Sequence, residues 1–339
     1  MASAVASLAS TAEATNAAPP AADRLHQVQA LLADDLRWIE AALVKVAADG
    51  PAPATQAARH LVASGGKRIR PIALLLSAAC FGSIPDGARE LAAVAELVHT
   101  ATLLHDDVVD EGLTRRGLPA ARTVWGNAIS VLAGDLLLVN GLECTQRVAP
   151  ELMPQLILTL RRLVDGEIIQ LRGRTELDVS EATYERILLD KTASLFAWAT
   201  RTGAALAGAR PDEQEKLARF GERLGIAFQL VDDVIDYAGE KSGKTLLADL
   251  REGKLTLPLV LTVAKQPELM RDLRRIYAGD AEPVQAVSVA VRASGACDEV
   301  RQRAREYTRQ ALEALRSIPA SPARGLLEQV AIELTARAG

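Results

Sequence analysis

LHQVQALLADDLRWIEAALVKV, residues 25–46, sets Leu25, Val28, Leu32, Leu36, Ile39, Leu43 and Val46 three or four apart, which lays them along one face of a helix. Asp49-Gly50-Pro51 then stops it. The same period returns at about 54–63, 71–82, 87–111, 121–148, 152–172, 181–189, 191–208, 212–238 and 255–264, and three or four more helices fit between 267 and 337. Gly65-Gly66, Gly82 to Pro85 and Gly208 to Pro211 punctuate the series. Composition points the same way: 61 of the 339 residues are alanine and 3% are aromatic, a balance that favours closely packed helices over a sheet. No repeat of fixed period, long linker or change of composition interrupts the pattern. The expected fold class is all-α, one helical domain over 23–339 behind an Ala-, Ser-, Thr- and Pro-rich loose tail over 1–22.

A net charge of −4 excludes a general polycation, so no nucleic-acid partner is expected. Cys80, Cys144 and Cys297 lie far apart with no Cys-x-x-Cys, which argues against a disulfide framework or a Cys-rich zinc site and for a cytoplasmic protein. Of the apolar runs, 71–82 is too short to cross a bilayer and 129–142 is broken by Asp135 and Asn140, so no transmembrane segment is expected. The tail lacks the basic residues of a signal or transit peptide.

Leu103-Leu104-His105-Asp106-Asp107-Val108-Val109-Asp110-Glu111 places four carboxylates at the end of an apolar helical stretch. Asp106 and Asp110, at i and i+4, share a helix face about 6 Å apart. Asp232-Asp233-Val234-Ile235-Asp236 repeats the pattern after a second apolar run, 226–231. One acidic turn is usually a solvated helix end. Two matching copies at core boundaries are another matter, because crowded carboxylates cost stability unless cations neutralise them. Oxygen-only donors favour a hard cation such as Mg²⁺ over zinc, and Mg²⁺ held by one or two carboxylates completes its shell with phosphate oxygens and water. The substrate is therefore expected to carry a diphosphate.

Gly65-Gly66-Lys67-Arg68-Ile69-Arg70-Pro71 gathers three cations in a Gly-rich turn before a helix that Pro71 can start at its first position. Backbone donors at such a helix start, with Lys and Arg beside them, suit a phosphate that needs no metal. Arg115-Arg116-Gly117 follows the first acidic cluster closely enough to meet the same anion, and Lys191-Thr192 and Lys254 add isolated cations. Ala238-Gly239-Glu240-Lys241-Ser242-Gly243-Lys244-Thr245 fits a relaxed P-loop, but it follows an aspartate-rich helical stretch instead of a buried strand, which argues against the rival nucleotide-binding reading.

Together these residues resemble the trans-isoprenyl diphosphate synthase family from about Asp23 to the C-terminus, in the family's motif order. The match runs through Gly66-Lys67-Arg68-x-Arg70-Pro71, 106–110 with Arg115-Arg116-Gly117, Gly134-Asp135, Gly166-Glu167, Lys191-Thr192 and Phe228-Gln229-x-x-Asp232-Asp233-x-x-Asp236. The resemblance implies an all-α bundle around a central active-site cavity, a homodimer, and Mg²⁺-assisted joining of an allylic diphosphate to isopentenyl diphosphate, with three ions per site. By position it implies that Asp106, Asp110 and Asp232 bind metal with Asp107, Asp233 and Asp236 in support. Lys67, Arg70, His99 and Arg116 would hold isopentenyl diphosphate, and Arg115, Lys191, Lys244 and Lys254 the allylic diphosphate. Lys191, Thr192 and Gln229 form the implied catalytic set, the last two offering oxygen dipoles to the allylic cation, and the departing diphosphate takes the proton. The spacing to Lys244 departs slightly from that of shorter-chain relatives.

The scarcity of aromatic residues and the second D-D-x-x-D favour chain elongation over cyclisation, since cyclases steer their cations against aromatic faces. A helical partner subunit without activity is the alternative of another class, and intact aspartates and cations argue against it. Ala101 and Thr102 lie four to five residues before Asp106, where an aromatic side chain commonly blocks the tail in relatives that stop at C15. Small residues there, within a 98–105 stretch similar to long-chain synthases, point to C30 to C50 products over geranylgeranyl or farnesyl diphosphate. A peripheral membrane contact is expected for product release.

Overall fold

The apolar stripe of 25–46 becomes α1 (Ala33–Val46), with Asp35, Ile39 and Leu43 buried. The structure, a computed structural model, describes Val28, residues 30–238 and residues 247–336. The tail read over 1–22, Lys244 and nearly all of the P-loop-like stretch lie outside these. After α1 come α2 (Ala54–Ala63), α3 (Ile69–Ala79), α4 (Asp86–Val109), a two-stranded hairpin of β1 (Thr114–Arg115) and β2 (Leu118–Pro119), α5 (Ala121–Trp125), α6 (Asn127–Val148) and α7 (Met153–Glu176). α8 (Glu181–Ile187) runs into a π-helical turn, Leu188–Ala193, followed by α9 (Ser194–Leu206) and α10 (Pro211–Ala238). The series ends with α11 (Ala248–Arg251), α12 (Leu257–Lys265), α13 (Met270–Tyr277), α14 (Val284–Ala293), α15 (Ala296–Leu315) and α16 (Pro322–Ala336).

Of the boundaries that differ from the sequence reading, three have a plain physical cause. α3 begins at Ile69, so Pro71 stands third in the helix; its missing N–H still falls among the first four, which have no intrahelical partner. Gly126, at φ 84°, breaks 121–148 into α5 and α6. The stretch 181–208 is held together by the π-turn, an extra residue per turn that apolar spacing does not reveal.

The chain, read from sequence as one helical domain, divides into two compact units. The first comprises the chain up to Ile157, Phe196–Gly221 and Leu312–Glu333; the second comprises Leu158–Leu195, Glu222–Ala311 and the chain from Leu334. Every boundary falls inside a helix, so composition marks none of them. In the first unit α4 lies on α3 and α6, with Ile72, Leu74, Leu91, Leu97 and Leu104 fully buried. Gly203 of α9 is buried so close to α3 that a Cβ there would overlap the Leu74 carbonyl. In the second unit, one cluster joins Tyr184, Leu188, Leu230, Val234, Leu257 and Val300, and another joins Tyr237, Leu259, Leu273 and Val287.

α6 is 22 residues long and, by length and composition alone, apolar enough to cross a membrane, which the interruption at Asp135 and Asn140 was expected to prevent. Its face of small residues, Ser130, Ala133, Gly134, Gly141 and Thr145, is buried, and α4 is its main neighbour. Val131, Leu132 and Val139 remain exposed.

Candidate active site

The first acidic motif occupies the last turn of a helix, and the second lies within the last two turns of another. Asp106 and Asp107 close α4, with Asp110 as the residue that caps it, and Asp232, Asp233 and Asp236 close α10. The carbonyl end of a helix carries partial negative charge, so three carboxylates there are unfavourable unless cations meet them. Among the described residues, no three His, Cys, Asp or Glu side chains gather closely enough to hold a metal unaided. The donor set, all carboxylate oxygen, still fits Mg²⁺, whose shell is ordinarily completed by phosphate and water.

The first unit divides the labour within its motif. Asp107 is buried, and its Oδ1 accepts from Arg115 Nε at 2.8 Å and Nη2 at 2.5 Å. The hairpin makes this reach: Arg116 and Gly117 both have positive φ, 52° and 79°, which returns the chain tightly and aims Arg115 back at α4. Asp106 is partly buried and Asp110 buried. The preceding residue, His105, faces the Val131 carbonyl at 3.1 Å and Asp135 at 3.3 Å across α6. Gly134 explains its place in the motif series, since a Cβ there would overlap the His105 ring.

The arginines of the same unit gather around His99. Arg70 lies with its Cζ 4.6 Å over the Phe196 ring, and its Nε is buried with no hydrogen-bond partner. Burial lowers the Arg70 guanidinium to about 10, against the pull of Glu96. Gly66 leaves the space that Arg116 needs: a Cβ there would stand 3.3 Å from both terminal nitrogens of Arg116. Arg116 Nη1 donates to Ser64 at 3.4 Å. Burial and then the surrounding arginines, Arg70 foremost, hold His99 well below its ordinary pKa, so it is a neutral imidazole able to donate one N–H. Lys67 is exposed in the loop. Ala101 is fully buried on α4, and Thr102 is partly buried with its hydroxyl donating to the His99 carbonyl at 2.8 Å.

In the second unit two of the implied catalytic set, Thr192 and Gln229, belong to one chain of hydrogen bonds. Thr192 Oγ1 donates to Gln229 Oε1 at 3.3 Å, and Gln229 Nε2 donates to Asp233 Oδ1 at 2.9 Å. Asp233 Oδ2 accepts from the Tyr184 hydroxyl at 2.8 Å and the Leu257 N–H at 3.0 Å. Burial raises the Asp233 carboxyl to about 7, opposed chiefly by the Gln229 bond. Asp233 is thereby held as a scaffold; Asp232 is partly buried and Asp236 buried. Lys191 sits in the π-turn and pairs with Glu167 of α7. Gly166 permits this approach, since a Cβ there would stand 2.8 Å from the Lys191 backbone nitrogen. Lys254 pairs with Glu252 at 2.6 Å.

Sequence reasoning did not assign Tyr184, Glu96, Glu40 or Asp135 to the site. Each acts through a contact distant in sequence, such as the 49 residues between Tyr184 and Asp233, for which no local pattern exists.

The family model described as "Polyprenyl synthetase" matches residues 52–294. An all-trans-nonaprenyl-diphosphate synthase (geranyl-diphosphate specific) of Rhodobacter capsulatus is 40% identical over 79% of this chain and 84% of its own. An octaprenyl diphosphate synthase of Escherichia coli is 36% identical over 89% and 96%. Among solved structures, a polyprenyl synthase from Caulobacter crescentus, complexed with calcium and isoprenyl diphosphate, superposes with a TM-score of 0.86 at 35% identity, covering 93% of this chain and 98% of that one. Helices throughout, both aspartate-rich helix ends and these matches give one answer: the chain belongs to the polyprenyl synthetase family.

Proposed function

We propose that this prenyltransferase condenses an allylic diphosphate with isopentenyl diphosphate in repeated rounds to a long-chain product, in the C30 to C50 range. The observation that carries the reading is the buried, unpartnered Nε of Arg70 beside a neutral His99, with the Arg116 guanidinium fitted against Gly66. Lys67, Arg70, His99 and Arg116 hold isopentenyl diphosphate there, while Arg115, Lys191, Lys244 and Lys254 bind the allylic diphosphate. Asp106, Asp110 and Asp232 would hold magnesium, with Asp107, Asp233 and Asp236 in support. Bound magnesium supplies charge neutralisation where the allylic carbon–oxygen bond breaks.

Thr192 and Gln229 are locked by the chain that ends on Asp233, which fits fixed oxygen dipoles turned toward a developing carbocation without reorganisation. The alkene carbon attacks, the new carbon–carbon bond forms, and the proton passes to the departing diphosphate. Orienting two bound reactants supplies much of the acceleration, up to about 7–11 kcal/mol. Incubation with farnesyl diphosphate, isopentenyl diphosphate and Mg²⁺ should give extended products by mass spectrometry and none with excess EDTA. No extension with the metal present would sink the proposal.

The three cysteines are free, in keeping with a cytoplasmic enzyme. A homodimer is the further expectation, because exposed apolar stripes on α6 (Val131, Leu132, Val139) and on α7 (Val164, Ile168, Leu171) need covering. Sedimentation velocity should give twice the chain mass of 36.1 kDa, and Leu132→Glu should shift it to the monomer. A monomeric wild-type protein at micromolar concentration would exclude the dimer.

A further inference from the structure

Between Lys67 and Arg70, the two cations of the Gly-rich loop, stands an arginine that faces inward. Arg68 is 5% exposed, and its three nitrogens are already engaged: Nε and Nη2 donate to the two oxygens of Glu40 at 2.6 and 2.9 Å, and Nη1 donates to Glu96 at 2.6 Å. A guanidinium so occupied is not a ligand for diphosphate. Its backbone is in the left-handed region, φ 50° and ψ 35°, a conformation that an L-residue adopts at a cost and that here turns the loop into the first residue of α3. The side chain folds back beneath its own loop, where a Cβ on Gly66 would stand 2.8 Å from Nη1.

Glu96, 3% exposed on α4, is the common counter-ion: its charge acts on Arg68 and also on Arg70 and Arg116. Two anchors from separate helices, Glu40 on α1 and Glu96 on α4, thus grip the one loop residue whose backbone must be held in place.

We infer that Arg68 is a positioning residue for the isopentenyl diphosphate site: by its ion pairs to Glu40 and Glu96 it pins the left-handed turn that presents Lys67 and Arg70. Glu96 also balances the cations gathered there. The inference rests on the proposed assignment of that site.

Isothermal titration with isopentenyl diphosphate, without metal, and steady-state kinetics on wild type, Arg68→Ala, Arg68→Lys and Arg68→Ala/Glu96→Gln test it. Arg68→Ala should weaken isopentenyl diphosphate binding and raise its KM about tenfold or more, because the fork of donors is lost and Glu96 is left buried and unpaired. The KM for the allylic diphosphate should stay within about twofold, since that ligand is assigned other cations. Arg68→Lys, which keeps the charge and loses the fork, should fall between, and the double variant should recover part of the loss. Should Arg68→Ala fail to fold, Arg68→Lys alone carries the test. An unchanged dissociation constant in a folded Arg68 variant, or equal rises in both KM values, would overturn the inference. Absence of binding by wild type would overturn the site assignment, and this inference with it.

Discussion

Asp106→Ala and Asp232→Ala should each lower turnover by on the order of 10³-fold, the scale of losing one charge-stabilising group from a preorganised site. Neither change should unfold the protein. Asp106 sits in the last turn of α4, beside other carboxylates and partial negative charge, and Asp232 lies in the turn before the last of α10, beside Asp233 and Asp236. Removing Asp106 in EDTA should leave stability unchanged or raise it by about 0.3–1 kcal/mol, the usual scale for a charge meeting a helix end, and removing Asp232 should not lower it. Asp233→Ala should behave differently. Its carboxylate accepts from Gln229, Tyr184 and Leu257, so truncation orphans buried donors and should cost about 1–3 kcal/mol as well as activity. Melting temperatures in EDTA beside rates in Mg²⁺ separate the two behaviours. Near-normal turnover in Asp106→Ala or Asp232→Ala would refute the metal assignment.

Ala101→Phe should shorten the product. Ala101 stands five residues before Asp106, about 7.5 Å along the helix axis, and Val98 and Val94 stand roughly one and two turns beyond it, both buried. A tail growing from a diphosphate held near Asp106 and running along α4 meets Ala101 before either valine. A methyl group leaves that level open, and a phenyl ring closes it. Filling a fully buried alanine site costs about 1–3 kcal/mol, so Ala101→Leu is the milder companion, with an intermediate distribution expected. Mass spectrometry of products from all three proteins reads the outcome. An unchanged distribution would place chain-length control elsewhere, with the Leu136-Leu137-Leu138 run of α6 the next candidate.

Much of this architecture was legible in the chain because helices advertise themselves. The 25–46 stripe yielded α1, the reading of 54–63 coincides with α2, and the four helices from Met270 to Ala336 lie where three or four were expected. What escaped has a common cause. The π-turn at Leu188–Ala193 depends on one residue too many per turn, and the Thr114–Pro119 hairpin on two consecutive positive φ values at Arg116 and Gly117, neither of which leaves an apolar period. Of the site, residue types and spacing reveal the carboxylates and cations but not how they divide their work. That Asp107 is given over to Arg115, Asp233 to three donors and Arg68 to two glutamates follows only from contacts between distant parts of the chain.

The placement of every unit boundary inside a helix has a practical corollary for anyone who would dissect the molecule. No cut at a unit border releases a finished piece: each severed end would bare up to four backbone N–H or C=O groups that the intact rod satisfies. Truncation libraries and split reporters should therefore be cut in the punctuating loops, such as Gly82 to Pro85 or Gly208 to Pro211, even though these lie within a unit.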